Sequence, residues 1–368
     1  MIGSPAKTPA IVADVGWVNG LAAIRSLGRS GVRVFAVDHR PSALGFRSRY
    51  AEPVLVADPV EDEAGFVEAV RTLARRTGAA LPVFPTHDPP LNALARNLDD
   101  SLLAPFPAWE RLAEVQSKRS QLERATAAGI DVPETRHPSS AAEARSAGEE
   151  LGFPVLVKPG DPIAFKRRFR RQAFRCETSG ELEQAYGRAE EFEPMVQELV
   201  PGGDDALYSV GSYLARDGRA LGVFCGRKLQ QTPPGIGTCR VGEAVWVDEV
   251  VDAALRLLGA FGYHGLSQVE FKRDARDGRF KLMEINPRLW QWHGLAAACG
   301  VDLPRIAYAD LTGQTPTDVR MDGDGKRWAI TLLAGERAAF QRPPYVDAVW
   351  ALDDPKPALV HLARVVRS

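Results

Sequence analysis

Along this chain of 368 residues, apolar and polar positions alternate with two periods, and the switches between them predict strands and helices in alternation. Residues 10–14 (AIVAD) are a short apolar run, 21–29 repeat on a helical period, and 32–37 are apolar again, closed by Asp38. A strand at 54–56, a helix at 64–76 and a strand at 81–84 continue the pattern to Pro105–Pro107. A small parallel α/β domain over residues 1–108 is expected. Thr86-His87-Asp88 follows the last strand at its carboxyl end, where open α/β sheets take ligands. His87 and Asp88 are therefore candidate substrate contacts, a turn with a helix cap being the plainer use.

The middle of the chain reads as a helix at 109–130, a helix at 141–151, a strand at 154–157, a helix at 180–190 and a strand at 194–199. Pro201-Gly202-Gly203 makes a hinge. Strands at 207–214 and 220–228, a Pro- and Gly-rich loop at 232–238, and helices at 248–261 and 302–311 follow. Residues 316–368 predict an extra strand and a terminal helix without an evident role.

One hairpin carries the candidate chemistry. Residues 266–273 and 279–286 alternate on either side of a turn at 274–278. Folding about that turn sets Glu270 almost opposite Glu284 on adjacent strands, side chains roughly 5 Å apart. Like charges so placed repel, which a cation would relieve. Asn286 and Arg288 follow Glu284 at steps of two, on the same face if the strand continues. Two carboxylates and an amide oxygen suit Mg²⁺, and the Arg suits a phosphate or carboxylate. An exposed hairpin with ordinary surface charges is the competing reading.

Composition removes other classes. The net charge of −1 offers no field for nucleic acid or an anionic membrane. The opening residues show no basic stretch leading into an apolar core, and there is no apolar run of about 18 residues. Cys176, Cys225, Cys239 and Cys299 have no CxxC spacing, which fits a reducing compartment, and a cytoplasmic location is expected. Gly16 and Gly20 do not make G-x-G-x-x-G, although Asp38 sits where a ribose-binding acid would lie. A nicotinamide-dependent oxidoreductase stays open as an alternative.

Glu270 with Glu284-Ile-Asn286-Pro-Arg288 resembles the metal-binding end of the ATP-grasp superfamily, and other landmarks follow in the same order over roughly residues 10–315. The resemblance implies an α/β and α+β fold: an N-terminal Rossmann-like pre-ATP-grasp domain (1–108), then a two-lobed ATP-grasp domain (109–315). Its smaller lobe would span about 135–200, its metal-binding lobe about 201–315, with 316–368 as a C-terminal extension. It also implies ATP with Mg²⁺ or Mn²⁺ held by Glu270, Glu284 and Asn286. Lys158 would reach the α- and β-phosphates, with Lys118 bordering the nucleotide. Gln197, Glu198, Leu199 and Val200 would read adenine at the hinge, and either Asp204 or Asp205 would meet the ribose. Arg227 and Lys228 would touch the triphosphate or an acyl-phosphate.

The implied activity is an ADP-forming carboxylate–amine ligase on small molecules, in a branch that includes enzymes similar to D-aspartate ligase. Arg288 would hold the carboxylate. Trp290 and His293 would wall the acceptor pocket, His293 helping to deprotonate an amine, with core packing as the rival use of both. A non-catalytic ATP-binding protein of the same fold stays open, as does assembly as a homodimer. One departure stands out. Residues 160–175, where the family has a Gly-rich loop over the nucleotide, carry a single Gly and a run of basic residues, predicting a cationic lid or a solvated edge.

Overall fold

The computed structural model describes residues 7–322, 324–330 and 345–365. Ala10–Ala13 (β1), Val18–Arg29 (α1), Val34–Asp38 (β2), Ala51–Leu55 (β3), Glu63–Thr77 (α2), Leu81–Pro85 (β4), Asp88–Arg96 (α3) and Leu102–Leu103 (β5) come first. The strands are all parallel, in the order β3-β2-β1-β4-β5. Their carboxyl ends therefore share one edge, which places Asp14, Asp38 and His87 together. Local chemistry supports the boundaries: Asp62 caps α2 through the Gly65 N–H, and Gly78 ends it at φ 68°, a conformation that suits glycine.

The predicted helix 109–130 is two helices, Trp109–Gln116 (α4) and Lys118–Ala127 (α5). The break falls at Ser117, whose backbone is extended (φ −66°, ψ 115°) and whose hydroxyl accepts from the Ser120 N–H. A serine favours this capping role over a helix interior. The kink leaves Lys118 in the first turn of α5.

A smaller lobe follows: Thr135–Arg136 (β6), Ala141–Leu151 (α6), Val155–Lys158 (β7), Pro162–Phe169 (α7), Phe174–Cys176 (β8), Ser179–Ala189 (α8) and Met195–Glu198 (β9). Its antiparallel sheet runs β6-β9-β7-β8. The cationic stretch expected as a lid loop is largely the helix α7. Asp161 caps it through the Ile163 and Ala164 N–H groups, and Phe165 packs edge-on against Phe174 and Phe192, centroids 5.1 and 5.5 Å away.

The large lobe holds Leu207–Leu214 (β10), Ala220–Thr232 (β11), Thr238–Ala244 (β12), Asp248–Ala260 (α9), Gly265–Arg273 (β13), Phe280–Asn286 (β14), Gly294–Ala298 (α10) and Leu303–Leu311 (α11). Val319–Arg320 (β15), Arg327–Ala329 (β16), Tyr345–Asp347 (β17) and Lys356–Val365 (α12) complete the described chain. The sheet runs β14-β13-β10-β11-β12-β16-β17, with β15 beside β11. The segment after residue 315 thus extends this sheet rather than adding one isolated strand, and 331–344 of it lie outside the described residues.

Two cores decide what moves with what. Leu21, Ile24 and Leu27 of α1 share a buried cluster with Trp290, Leu295 and Val301, so the N-terminal sheet and the large lobe pack as one mass. Phe165, Phe174, Tyr186 and Phe192 form a separate cluster in the smaller lobe. Close approach matters at Gly211, where an added Cβ would sit 1.8 Å from the Trp290 ring. Among the described residues no helix is long and apolar enough to cross a membrane.

Candidate active site

A cleft of about 1010 Å³ opens where the N-terminal sheet edge, the smaller lobe and the large sheet meet. Its back wall is the predicted hairpin. β13 and β14 pair antiparallel with Glu270 directly opposite Glu284, and a register shift follows immediately between Glu270 and Phe271. Both carboxylates line the cleft. Lys228 Nζ lies 3.0 Å from Glu270, and Lys118 Nζ lies 3.8 Å from Glu284. Burial alone would raise the Glu284 carboxyl, but Lys118, the Asn286 amide, Lys228 and Lys158 outweigh it and hold it below the usual range. Lys228 shows the mirror effect: burial opposes its charge, and Glu270 keeps it protonated to higher pH than usual.

Asn286 Nδ2 donates to Glu284 Oε1 at 2.8 Å, and its Oδ1 accepts from Arg288 at 3.1 Å. The strand ends at Asn286. Arg288 nonetheless turns into the cleft, because its N–H bonds back to the Asn286 carbonyl. Its guanidinium forks onto Asp88, with Nε–Oδ1 2.6 Å and Nη2–Oδ2 3.2 Å.

A hard divalent cation suits this wall. Among the described residues no group of three or more His, Cys, Asp or Glu is placed to hold a metal alone. Two carboxylates and an amide oxygen are an incomplete oxygen set, and Mg²⁺ typically completes such a set with waters and substrate phosphates.

The roof comes from β7. Lys158 ends that strand, lines the cleft and is pulled down to about 8, first by burial and then by the like charge of Lys118. Leu156, Leu199, Val200, Leu207 and Met283 make an apolar slot beside it. α7 and the residue that caps its end present Lys166, Arg167 and Arg170 to the cleft, and Arg167 bridges to Glu61 at 2.8 Å across the gap from the N-terminal domain.

Several expected residues lie elsewhere. Arg227 faces away from the cleft, on the opposite side of β11 from Lys228, and pairs with Glu243 at 2.8 Å. Glu198 points into the hinge rather than the cleft: its carboxylate accepts from Lys281 and Arg276, each at 2.6 Å, and from the Glu134 N–H at 2.9 Å. Gln197 is buried and donates to Thr135 Oγ1 at 2.8 Å. Asp204 is taken by the 232–238 loop, accepting from the Gln231 and Gly235 N–H groups at 2.9 Å each, while Asp205 is exposed outside the cleft. Trp290 and His293 are core residues. The Trp290 ring packs on Trp292 and Phe224, and His293 Nε2 sits 3.0 Å from the Asn19 carbonyl oxygen.

The structure adds residues the sequence reading passed over. Asp14 and Arg40 line the cleft at the ends of β1 and β2 and are ion-paired to one another. Asp38, the ribose candidate, is instead buried against Arg40. Lys272 and Gln231 also face the cleft. Lys272 had a readable signal, since it stands two residues beyond Glu270 on the same strand.

Comparison with known proteins bears on the fold. Residues 245–311 match the model of the carbamoyl-phosphate synthase L chain, ATP binding domain. A D-aspartate ligase of Enterococcus faecium is 28% identical over 173 residues, covering 45% of this chain and 41% of that protein. The carbamoyl phosphate synthase large chain of Rubrobacter xylanophilus is 24% identical over 366 residues, covering 90% of this chain and 32% of its own. The chain therefore spans less than half the length of either relative. In three dimensions it resembles biotin carboxylase from Campylobacter jejuni (TM-score 0.67, 18% identity, 84% of this chain and 72% of that one). It also resembles N5-carboxyaminoimidazole synthetase from Staphylococcus aureus (TM-score 0.66, 15% identity, 86% and 80%). With its paired-glutamate hairpin and its strand-end lysine, the chain is similar to the ATP-grasp proteins, and residues 245–311 match an ATP-binding domain of that kind.

Proposed function

We propose that this chain is an ATP-dependent, ADP-forming ligase that activates a small-molecule carboxylate as an acyl-phosphate for attack by an amine, working in the cytoplasm. One observation carries the reading. Glu270, Glu284, Lys158 and Lys228 converge on the same cleft as Arg288, a carboxylate-gripping guanidinium that nucleotide binding alone does not require. The working units are residues 1–108, 109–315 and 316–368, with the cleft between the first two.

In this reading the apolar slot of Leu156, Leu199, Val200 and Met283 takes the purine, and Lys118, Lys158 and Lys228 receive the phosphates. Mg²⁺ held by Glu270, Glu284 and Asn286 would offset charge developing on those phosphates. Arg288 orients the acceptor carboxylate and stabilises the oxyanion formed when the amine attacks. Arg227, Glu198, Asp205, Trp290 and His293 have no direct part, and Asp204 acts by pinning the 232–238 loop.

The test is ATP-dependent phosphate release across amino acids and related carboxylates, with and without amines, alongside hydroxylamine trapping of the acyl-phosphate. Amine-dependent ADP formation supports the ligase. ATP binding without turnover on any carboxylate favours a non-catalytic binder. Light scattering reports whether the chain is a homodimer.

A further inference from the structure

We propose that His87 is the general base that takes a proton from the acceptor amine, with Asp14 as the residue that sets its tautomer; this rests on the ligase reading above. His87 stands at the carboxyl end of β4 just ahead of α3, and its ring lines the cleft. Its Nδ1 lies 3.1 Å from Asp14 Oδ2 and 3.2 Å from Thr86 Oγ1. The Thr86 hydroxyl is positioned to donate its hydrogen to the main-chain carbonyls of Ala13 and Asp14, so toward the ring it acts as an acceptor. Both neighbours of Nδ1 are then acceptors, which fixes the hydrogen on Nδ1 and leaves the lone pair on Nε2.

Asp14 is itself held. Its other oxygen accepts from Arg40, and its backbone sits at φ 64°, a left-handed conformation that non-glycine residues rarely adopt. Burial would raise this carboxyl, but His87 and Arg40 outweigh it and keep it ionised. An ionised carboxylate behind Nδ1 stabilises the imidazolium that forms when Nε2 accepts a proton.

Position separates His87 from the other histidines near the site. The next residue, Asp88, holds Arg288 in a fork, so the ring stands one residue from the group that grips the carboxylate. His293 is buried against Asn19. His39 lines the cleft with its two nitrogens near Asp38 and Asp58, at 3.9 and 3.7 Å. The charged groups around His87 are Asp14 after β1, His39 and Arg40 after β2, Asp88 on α3, Lys166 on α7 and Arg288 after β14.

The step balances without another reagent. An ammonium beside the ring gives its proton to Nε2. The freed lone pair attacks the acyl carbon, the C–N bond forms, the C–O bond to phosphate breaks with its electron pair leaving on phosphate, and the departing phosphate takes the second proton from the new amide nitrogen.

The experiment compares wild type, His87→Gln and Asp14→Asn with ATP and a panel of D- and L-amino acids. Each is run with hydroxylamine, already neutral near pH 7, or with amines that are protonated there. His87→Gln is expected to lose amide formation by about 100-fold while keeping hydroxamate formation within a few-fold, which also shows that it folds. Asp14→Asn should shift the acid limb of the amide pH–rate profile, and nitrogen NMR should show its His87 hydrogen moved off Nδ1. Equal loss with both nucleophiles, no loss with either, or hydroxamate without amide from any amine overturns the base role. If wild type forms no hydroxamate with any carboxylate, the ligase reading falls first and takes this role with it.

Discussion

Arg288 and Asp88 are 200 positions apart in sequence, yet they meet across the cleft as a two-pronged ion pair, Nε–Oδ1 at 2.6 Å and Nη2–Oδ2 at 3.2 Å. Burial alone would raise the Asp88 carboxyl, but the guanidinium outweighs it and holds Asp88 below its usual range; Asp88 in turn keeps Arg288 fully charged. Asp88 occupies the fork that a substrate carboxylate would use, and it ties the first sheet to the end of β14. The pair thus links the carboxyl edge of the first sheet to the end of the hairpin wall.

That arrangement separates two effects in kinetics. Arg288→Ala should lower turnover by about 10²–10³ while ATP affinity changes little, because the lost donor acts on charge that develops during reaction. Asp88→Asn should instead lower the KM for the carboxylate, since a competing anion is removed. Steady-state kinetics with isothermal titration of ATP reads both. A larger loss in ATP affinity than in turnover for Arg288→Ala would move this residue to the nucleotide site.

The two glutamates make a sharper case. Glu284→Gln keeps the shape of the side chain and its contact with Asn286 but removes the charge that faces Lys118. Turnover dependent on Mg²⁺ should fall to background, circular dichroism should be unchanged, and chelation by EDTA should abolish wild-type activity to the same level. Turnover of the Gln variant equal to wild type would remove the metal assignment.

The hairpin was legible because two alternating runs flank a Gly-containing turn, but the facing of Glu270 and Glu284 also needs the one-residue shift after Glu270, without which Met283 would stand opposite Glu270. The same rule failed on β11. That strand is buried on both faces along much of its length and shifts register near Lys228, so periodicity could not tell whether Arg227 or Lys228 enters the cleft. It failed again past Pro287, where the strand has ended. There the orientation of Trp290 and His293 is set by packing against α1, a contact made across some 270 residues. Helix α7 was hidden by its charge: Phe165 and Phe169, one helical turn apart, are its packing face, and the basic run drew attention to the other side. Asp14 lay in plain view at the end of β1. Its pairing with His87 depends on β1 and β4 being neighbours, which is sheet order rather than local pattern.

Lys158 gives the site a pH signature. In the free protein burial and Lys118 bring it down to about 8, and a bound triphosphate favours its ammonium form. Below that pH the proton is present with and without nucleotide, so ATP affinity should be flat. Above about 8 the free site loses its proton first, and affinity should fall by up to tenfold per pH unit until the bound lysine also titrates. Titration of ATP between neutral and alkaline pH tests this. Lys158→Met should bind weakly at neutral pH and lose the alkaline decline, and a decline that persists unchanged would assign it to another group.

The C-terminal segment is predicted to matter for stability more than for chemistry. Arg25 of α1 and Asp354 are both almost fully buried and pair at 2.9 Å, and Asp354 also accepts from Ser48 Oγ and the Arg49 N–H. Removing one partner strands a buried charge, which typically costs about 3 kcal/mol or more, whereas replacing both with apolar groups of similar size is often nearly neutral. Asp354→Ala should therefore lower the melting temperature by several degrees, while Arg25→Met with Asp354→Leu should recover most of that loss. Because neither residue lines the cleft, the ATP affinity of the folded protein should be unchanged in both variants. An equal loss of stability in the single and double variants would show that the bonds to Ser48 and Arg49, rather than the stranded guanidinium, set the cost.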